Sequence, residues 1–262
     1  MAAAIDDFVG AVERIAPPCL AYEWDNSGLN LRCSGEVSRV LIALDVTNDT
    51  ANEAEKLGCD MILSHHPLIF EPVKSLSVDR VSDSVLMRLI RAGISLYAAH
   101  TSYDRASGGV GDILASKLGL TQIEAEADSG EYLMRTGYLK STLKKHEFLD
   151  HVKRSLDSGM LRVSAADIET VRKVAVVGGS GGGFIEAAKR SGADALVTGE
   201  AKHHHFIEAK MQNVLLVEAG HYETERCFTP EVFMSLQSTL NELQLNVELF
   251  EANSAQSPYE CI

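Results

Sequence analysis

Short apolar runs alternate with amphipathic stretches along this chain. Residues 40–44 and 61–63 are continuous apolar runs, and 94–99 is apolar apart from Ser95; bounded by polar punctuation, all three are predicted to be buried strands. Residues 50–57 and 84–92 have helical spacing, and each is followed by a glycine, Gly58 or Gly93, a natural C-terminal stop. The plan then recurs. Residues 174–177, 195–197 and 214–217 read as strands, 184–190 and 206–211 as helices, with Gly192 after the first of these. Strand and helix in alternation predict an α/β fold with mainly parallel sheets covered by helices. The opening MAAAIDDFVGAVERIA reads as an amphipathic first helix and has no basic segment to make it a signal peptide.

The two series superpose without gaps at a constant offset of 134. Val40 falls on Val174, Gly58 on Gly192, Asp60 on Asp194 and Ser64 on Thr198, so GCDMILSHH faces GADALVTGE and His66 faces Glu200. Two similar α/β subdomains follow, residues 1–127 and 128–262. The second includes a modest connecting segment, 128–172, read as a DSGE turn, a short strand at 137–139 and a helix over about 143–156.

Ligands of open parallel sheets bind beyond the carboxyl ends of the strands. The chemistry of this chain gathers at those ends. His65 and His66 follow one predicted strand, His100 and Asp104 another, Glu200 a third, and His221 and Glu225 a fourth. AAHTSYD and AGHYETE are two versions of one His-x-x-x-acid pattern. Taken singly, each is as easily a solvated or packing residue. Together at four strand mouths, imidazoles and carboxylates predict a metal site between the halves. Neighbouring side chains of an extended segment diverge, so His65 and His66 are expected to serve different ions. Asp104 or Glu225 can bridge such a pair, and hydrolytic two-metal centres hold their ions roughly 3.5–4 Å apart. Nitrogen and oxygen donors suit zinc, iron, manganese or cobalt alike. His204, in the run His203–His205, is either solvated or an outer partner of a ligand. His146 and His151 read as solvated. The glycines of 178–183 are either an anion cradle or, the preferred reading, a tight loop allowing close backbone approach.

Composition narrows the partners. The formal net charge is −13, which makes nucleic acid a poor partner; KSTLKKH at 140–146 is the one basic cluster and reads as a solvated helix face. No stretch reaches the roughly 20 apolar residues of a membrane helix. The five cysteines are scattered without CxxC, which predicts reduced thiols and a cytoplasmic protein.

EWDNSGL at 23–29, ALDVT at 43–47, SHHPLIF at 64–70, AAHTSYD at 98–104, TGEAKHH at 198–204 and GHYETE at 220–225 together resemble the successive signatures of the NIF-three-like proteins. HTSYD departs from the family's His-Thr-Asn-Leu-Asp, and AKHHHF from Lys-Tyr-His-Asp, with His204 on the family histidine. The resemblance implies two similar subdomains with a dinuclear metal site between them, and maps the ligands onto His65, His66, Asp104, His221 and Glu225. His100 lies beside them. It also implies a homo-oligomer, a toroidal hexamer. Longer members insert a domain between the halves, for which this chain has no room.

Three functions compete. One is a metal-dependent hydrolase of a small, nucleotide-like molecule, in keeping with the GTP cyclohydrolase label that relatives carry, with Glu200 as a proton shuttle. The second is a metallochaperone or metal-handling protein without turnover. The third is an interaction module with a structural metal. A donor set with carboxylates and without cysteine leaves a coordination position open more often than a structural site does, which favours the first two.

Overall fold

The computed structural model describes residues 2–125, 133–254 and 256–260. The DSGE turn and Cys261 lie outside them. The chain forms two compact units, Met1–Ala106 with Phe228–Gln256, and Ser107–Cys227 with Ser257–Ile262.

The first unit is built on a five-stranded sheet in the order Glu248–Glu251, Arg39–Ala43, Met61–Ser64, Ser95–Ala98, Gly28–Leu31. The first four strands are parallel and the last is antiparallel. Leu41, Ala43, Ile62 and Leu96 pack against Ala51 and Ala54 of helix Asn48–Leu57 and Val85 and Leu89 of helix Val81–Ala92. Val40 and Ile42 point to the opposite face and are equally buried, which is why these strands are apolar throughout rather than alternating. Gly58 and Gly93 end their helices with positive φ, 64° and 71°, as predicted.

The second unit carries a six-stranded sheet, Thr121–Ala125, Arg135–Lys144, Thr170–Val177, Ala195–Thr198, Leu215–Glu218, Arg162–Val163. Only its three consecutive central strands, from Thr170–Val177 to Leu215–Glu218, are parallel to one another; the pairings outside them are antiparallel. The expected mainly parallel sheet therefore holds in the first unit, and the second is mixed. Ala175, Val177, Leu196 and Leu216 form its core with Ile185, Ala188 and Ala209 of the covering helices.

Three expectations change. The compact units do not divide at 127/128, because strand pairing overrides chain order. Glu248–Glu251 pairs with Arg39–Ala43, and helix Phe228–Leu243 packs on helix Ile5–Ile15. Residues 140–144 of the basic cluster are not a helix face. They extend strand Arg135–Lys144, with Leu143 opposite Val171, and the helix begins at Lys145. His151 is not fully solvated: its Nε2 lies 2.9 Å from the Leu118 carbonyl. Among the described residues Cys19, Cys33 and Cys59 are thiols outside any disulfide, the Cys227 thiol donates to the Thr224 carbonyl (3.6 Å), and no helix is long and apolar enough to cross a membrane.

Candidate metal centre

In the first unit, pairing continues past the strand end at Ser64. The His65 N–H donates to the Ala43 carbonyl (3.1 Å), the His66 N–H to the Leu44 carbonyl (3.0 Å), and the Ser64 hydroxyl to the His66 carbonyl (2.8 Å). The backbone under both histidines is thereby fixed. It is no longer pleated strand, so the rings do not diverge as expected. They sit side by side, centroids 4.9 Å apart. The His100 ring stands edge-on to both, and one ring nitrogen from each of the three lies within 4.8 Å of the others.

What holds each ring decides what it can bind. His65 is fully buried, and its Nδ1 is 2.9 Å from the Ala99 carbonyl. A carbonyl can only accept, so Nδ1 carries a proton there and Nε2 is the ring nitrogen turned the other way. That Nε2 stands 3.5 Å from Asp104 Oδ1. An imidazole nitrogen and a carboxylate oxygen face each other, an arrangement that suits a cation between them. His66 Nδ1 is 2.8 Å from Asp45 Oδ1, and His100 Nδ1 is 2.7 Å from Asp25 Oδ1. In all three rings the Nδ1 edge is spoken for, which orients Nε2 for metal binding. Burial disfavours the charged form of Asp25, but hydrogen bonds from His100, Ser27 and Thr101 outweigh it and hold the carboxyl well below the usual range. Asp104 joins the group through a short helix, Thr101–Asp104: its N–H donates to the His100 carbonyl (3.1 Å), and the single turn puts both side chains on one face.

The second unit repeats the device in the helix His221–Glu225. His221 lies between two carboxylates, Nδ1 3.2 Å from Glu200 Oε2 and Nε2 2.9 Å from the buried Glu225 Oε2. The His221 hydrogen bond, against some burial and helped by Ser180, lowers the Glu200 pKa. The glycine run acts as the close-approach loop. A Cβ on Gly179, whose φ is +55°, would overlap Glu225 Oε1 and come within 3.1 Å of His221 Nε2; one on Gly181 would lie 2.5 Å from Thr198 Oγ1. Beside His221 opens a cavity of ≈ 400 Å³ lined by Glu200, Met160, Glu223 and Tyr259 among others.

The structure thus groups His65, His66, His100 and Asp104 within the first unit, and Glu200, His221 and Glu225 within the second. His204 joins neither. It is exposed, its ring edge-on to that of His205 at 4.2 Å, and it is His205 that turns inward to accept the Lys202 N–H (3.1 Å) at the helix start. Asp25 and Asp45 were not among the residues predicted for the site. Both were legible: each sits in a quoted signature, and Asp45 follows the end of strand Arg39–Ala43, the kind of place that singled out the histidines.

A fold of two α/β units with histidine–carboxylate clusters at strand ends defines a class of candidate metal-binding proteins. The profile of the family described as Duf34/NIF3 (NGG1p interacting factor 3) matches residues 3–258, and the chain belongs to this family. It is 30% identical to a "GTP cyclohydrolase 1 type 2 homolog" of Clostridium perfringens, over 98% of this chain and 99% of that protein. A protein of the same description from Lactococcus lactis is 32% identical over 97% and 98%. The crystal structure of a Bacillus cereus protein related to NIF3 superposes with a TM-score of 0.92 at 26% identity, covering 99% of each chain.

Proposed function

We propose that this protein binds a pair of divalent metal ions through His65, His66, Asp104, His221 and Glu225, and uses them to hydrolyse a small, nucleotide-like molecule. The observation that carries the reading is the anchored ring of His65. With Nδ1 on the Ala99 carbonyl, Nε2 and Asp104 Oδ1 form a donor pair suited to a cation. The donors are imidazole and carboxylate without thiolate, the set of zinc, iron, manganese and cobalt sites that leave a position open. Divalent ions in such a site supply Lewis acidity and activate water near neutral pH. The chain's own residues do the rest. Asp45 and Asp25 keep the His66 and His100 rings turned, and Glu200 holds His221 and would be the carboxylate to take up a proton. The family resemblance and the paired His-x-x-x-acid segments support this choice of ligands. We propose further that the chains form a homo-oligomeric ring.

Elemental analysis of purified protein tests the metal, with up to two ions per chain expected. His65→Ala and Glu225→Gln should each lower the content, and full occupancy in His65→Ala would remove that residue from the ligands. Turnover of nucleotides, phosphoesters or cyclic amides with the loaded protein, lost in the same variants, tests the hydrolase. Tight binding with rapid ion exchange and no turnover would make it a metal-handling protein instead.

A further inference from the structure

Beside the histidines of the first unit stands a group of rings with no part in the core. Trp24 is 60% exposed and Phe70 49%. Tyr22 stacks on Trp24 with centroids 5.3 Å apart and planes at 19°, Phe70 lies 6.1 Å from Trp24, and both Trp24 and Phe70 stand edge-on to His100, at 6.3 and 6.4 Å. The wall therefore begins at the histidine cluster itself.

Exposure here does not come from a loose loop. The Tyr22 N–H donates to Thr101 Oγ1 (3.1 Å), and the Asp25 N–H to the Tyr22 carbonyl (3.0 Å). Asn26 Nδ2 donates to the Ile69 carbonyl (2.5 Å), tying the Trp24 segment to the segment that carries Phe70. Arg105 lies over the Tyr22 ring, 4.6 Å from its centroid, and donates to the Leu20 carbonyl (2.5 Å). The residues on either side of Trp24 are held while its own ring is left in water. A large ring so placed keeps apolar surface in water that a bound partner would cover. Rigid exposed aromatics at the rim of a polar site are characteristic of recognition surfaces.

We propose that Trp24 and Phe70 form a stacking wall for a planar, uncharged heteroaromatic ring, with the polar atoms of that ligand turned toward His100 and its neighbours. The proposal rests on the functional reading above and names its substrate class. A ring is favoured over a polymer or an acidic group because the wall is only two side chains wide, adjoins carboxylates Asp25 and Asp45, and belongs to a chain of net charge −13. A stacked face tolerates any planar base, so the wall selects for shape and the histidine side for polar pattern.

Trp24 is the only tryptophan in the chain, so its fluorescence reports this wall alone. The experiment titrates the full chain, with and without added zinc, with guanosine and adenosine, and with ribose as the ring-free control. A saturable change with the nucleosides and none with ribose is expected. Calorimetry should show affinity about tenfold weaker or worse in Trp24→Ala, largely kept in Trp24→Phe, and weakened in Phe70→Ala, as loss of a base–aromatic stack predicts. Metal content of Trp24→Ala should equal that of the parent, which separates this test from that of the ligands. Absence of saturable binding by either nucleoside, or equal affinity in parent and Trp24→Ala, overturns the proposal. So does a Trp24→Ala chain that binds normally but sediments as a smaller assembly, since the wall would then be a protein interface.

Discussion

The two units are variations on one strand–helix–strand core, and the comparison separates scaffold from chemistry. At the entry to the second strand of each core they agree atom for atom. Asp60 Oδ2 accepts the N–H groups of Ser38 (2.7 Å) and Arg39 (3.0 Å), and Asp194 Oδ2 accepts those of Arg172 (2.8 Å) and Lys173 (3.0 Å). Both aspartates also pass their carbonyl to the next strand, Asp60 to Ser95 N–H and Asp194 to Leu215 N–H, at 2.8 and 2.9 Å. At the exit of the same strands they disagree. Ser64-His65-His66 in the first unit stands where the second has Thr198-Gly199-Glu200. His65 is fully buried with its Nδ1 on the Ala99 carbonyl, whereas at Gly199 a side chain has nowhere to go, since its Cβ would fall 2.5 Å from Thr224 Oγ1 and 2.8 Å from the Gly179 carbonyl oxygen. One end of the core is thus alike in the two units, a clamp on register, and the other end is where their side chains differ.

The sharpest way to break the comparison is to give the second unit a side chain where the first has His65. Gly199→Ala should lose about 3 kcal/mol by overpacking against backbone that cannot yield, while Gly183→Ala, with open space around it, should be near neutral. Urea denaturation of the pair decides it, and equal midpoints would mean that the second strand end can relax. Next in size is the support of the rings. Asp45→Ala should weaken divalent-metal affinity about 10–100-fold by freeing His66, and Glu200→Ala less, because its contact to His221 is longer (3.2 against 2.8 Å) and its side chain more exposed. Competition with a chromogenic chelator measures both, and a larger loss in Glu200→Ala would reverse the ranking of the two halves.

The shared clamps should cost about the same to remove. Asp60→Ala and Asp194→Ala are each expected to lose about 1.5 kcal/mol, the scale of hydrogen bonds to a charged group. Chemical denaturation showing one large and one negligible effect would end the claim that the clamps are equivalent. The smallest effect concerns a tether of the first unit. Glu53 accepts hydrogen bonds from Asn253 and Ser254, just past the returning strand Glu248–Glu251. Burial opposes its ionisation, yet those bonds lower its pKa below the ordinary 4.5. A carboxyl depressed in the folded state stabilises above its unfolded pKa and loses that contribution as pH falls through the folded one. Glu53→Gln should therefore melt slightly below the parent at pH 7, and the gap should close below about pH 4.5; a gap that widens in acid would contradict the assignment.

Much of this molecule is written locally. The central strands were visible as apolar runs because strands covered on both faces need no polar alternation, and Gly58 and Gly93 marked helix ends because the left-handed stop favours a residue without Cβ. The offset of 134 was visible because Asp60 and Asp194 do the same work for the same backbone. The edge strands Gly28–Leu31, Thr121–Ala125 and Glu248–Glu251 were not, since partly exposed edges carry no such run and their pairing is set by residues far away in the chain. Tertiary structure alone decided that Phe228–Gln256 returns to the first unit, because that choice is made by strand pairing with Arg39–Ala43 rather than by any nearby residue. The site divides the same way. Sequence identified the histidines and acids by their place after strands. Only the fold could assign Ala99, Asp45 and Asp25 to the Nδ1 edges of His65, His66 and His100, since a hydrogen bond between residues 34, 21 and 75 positions apart leaves no local pattern to read.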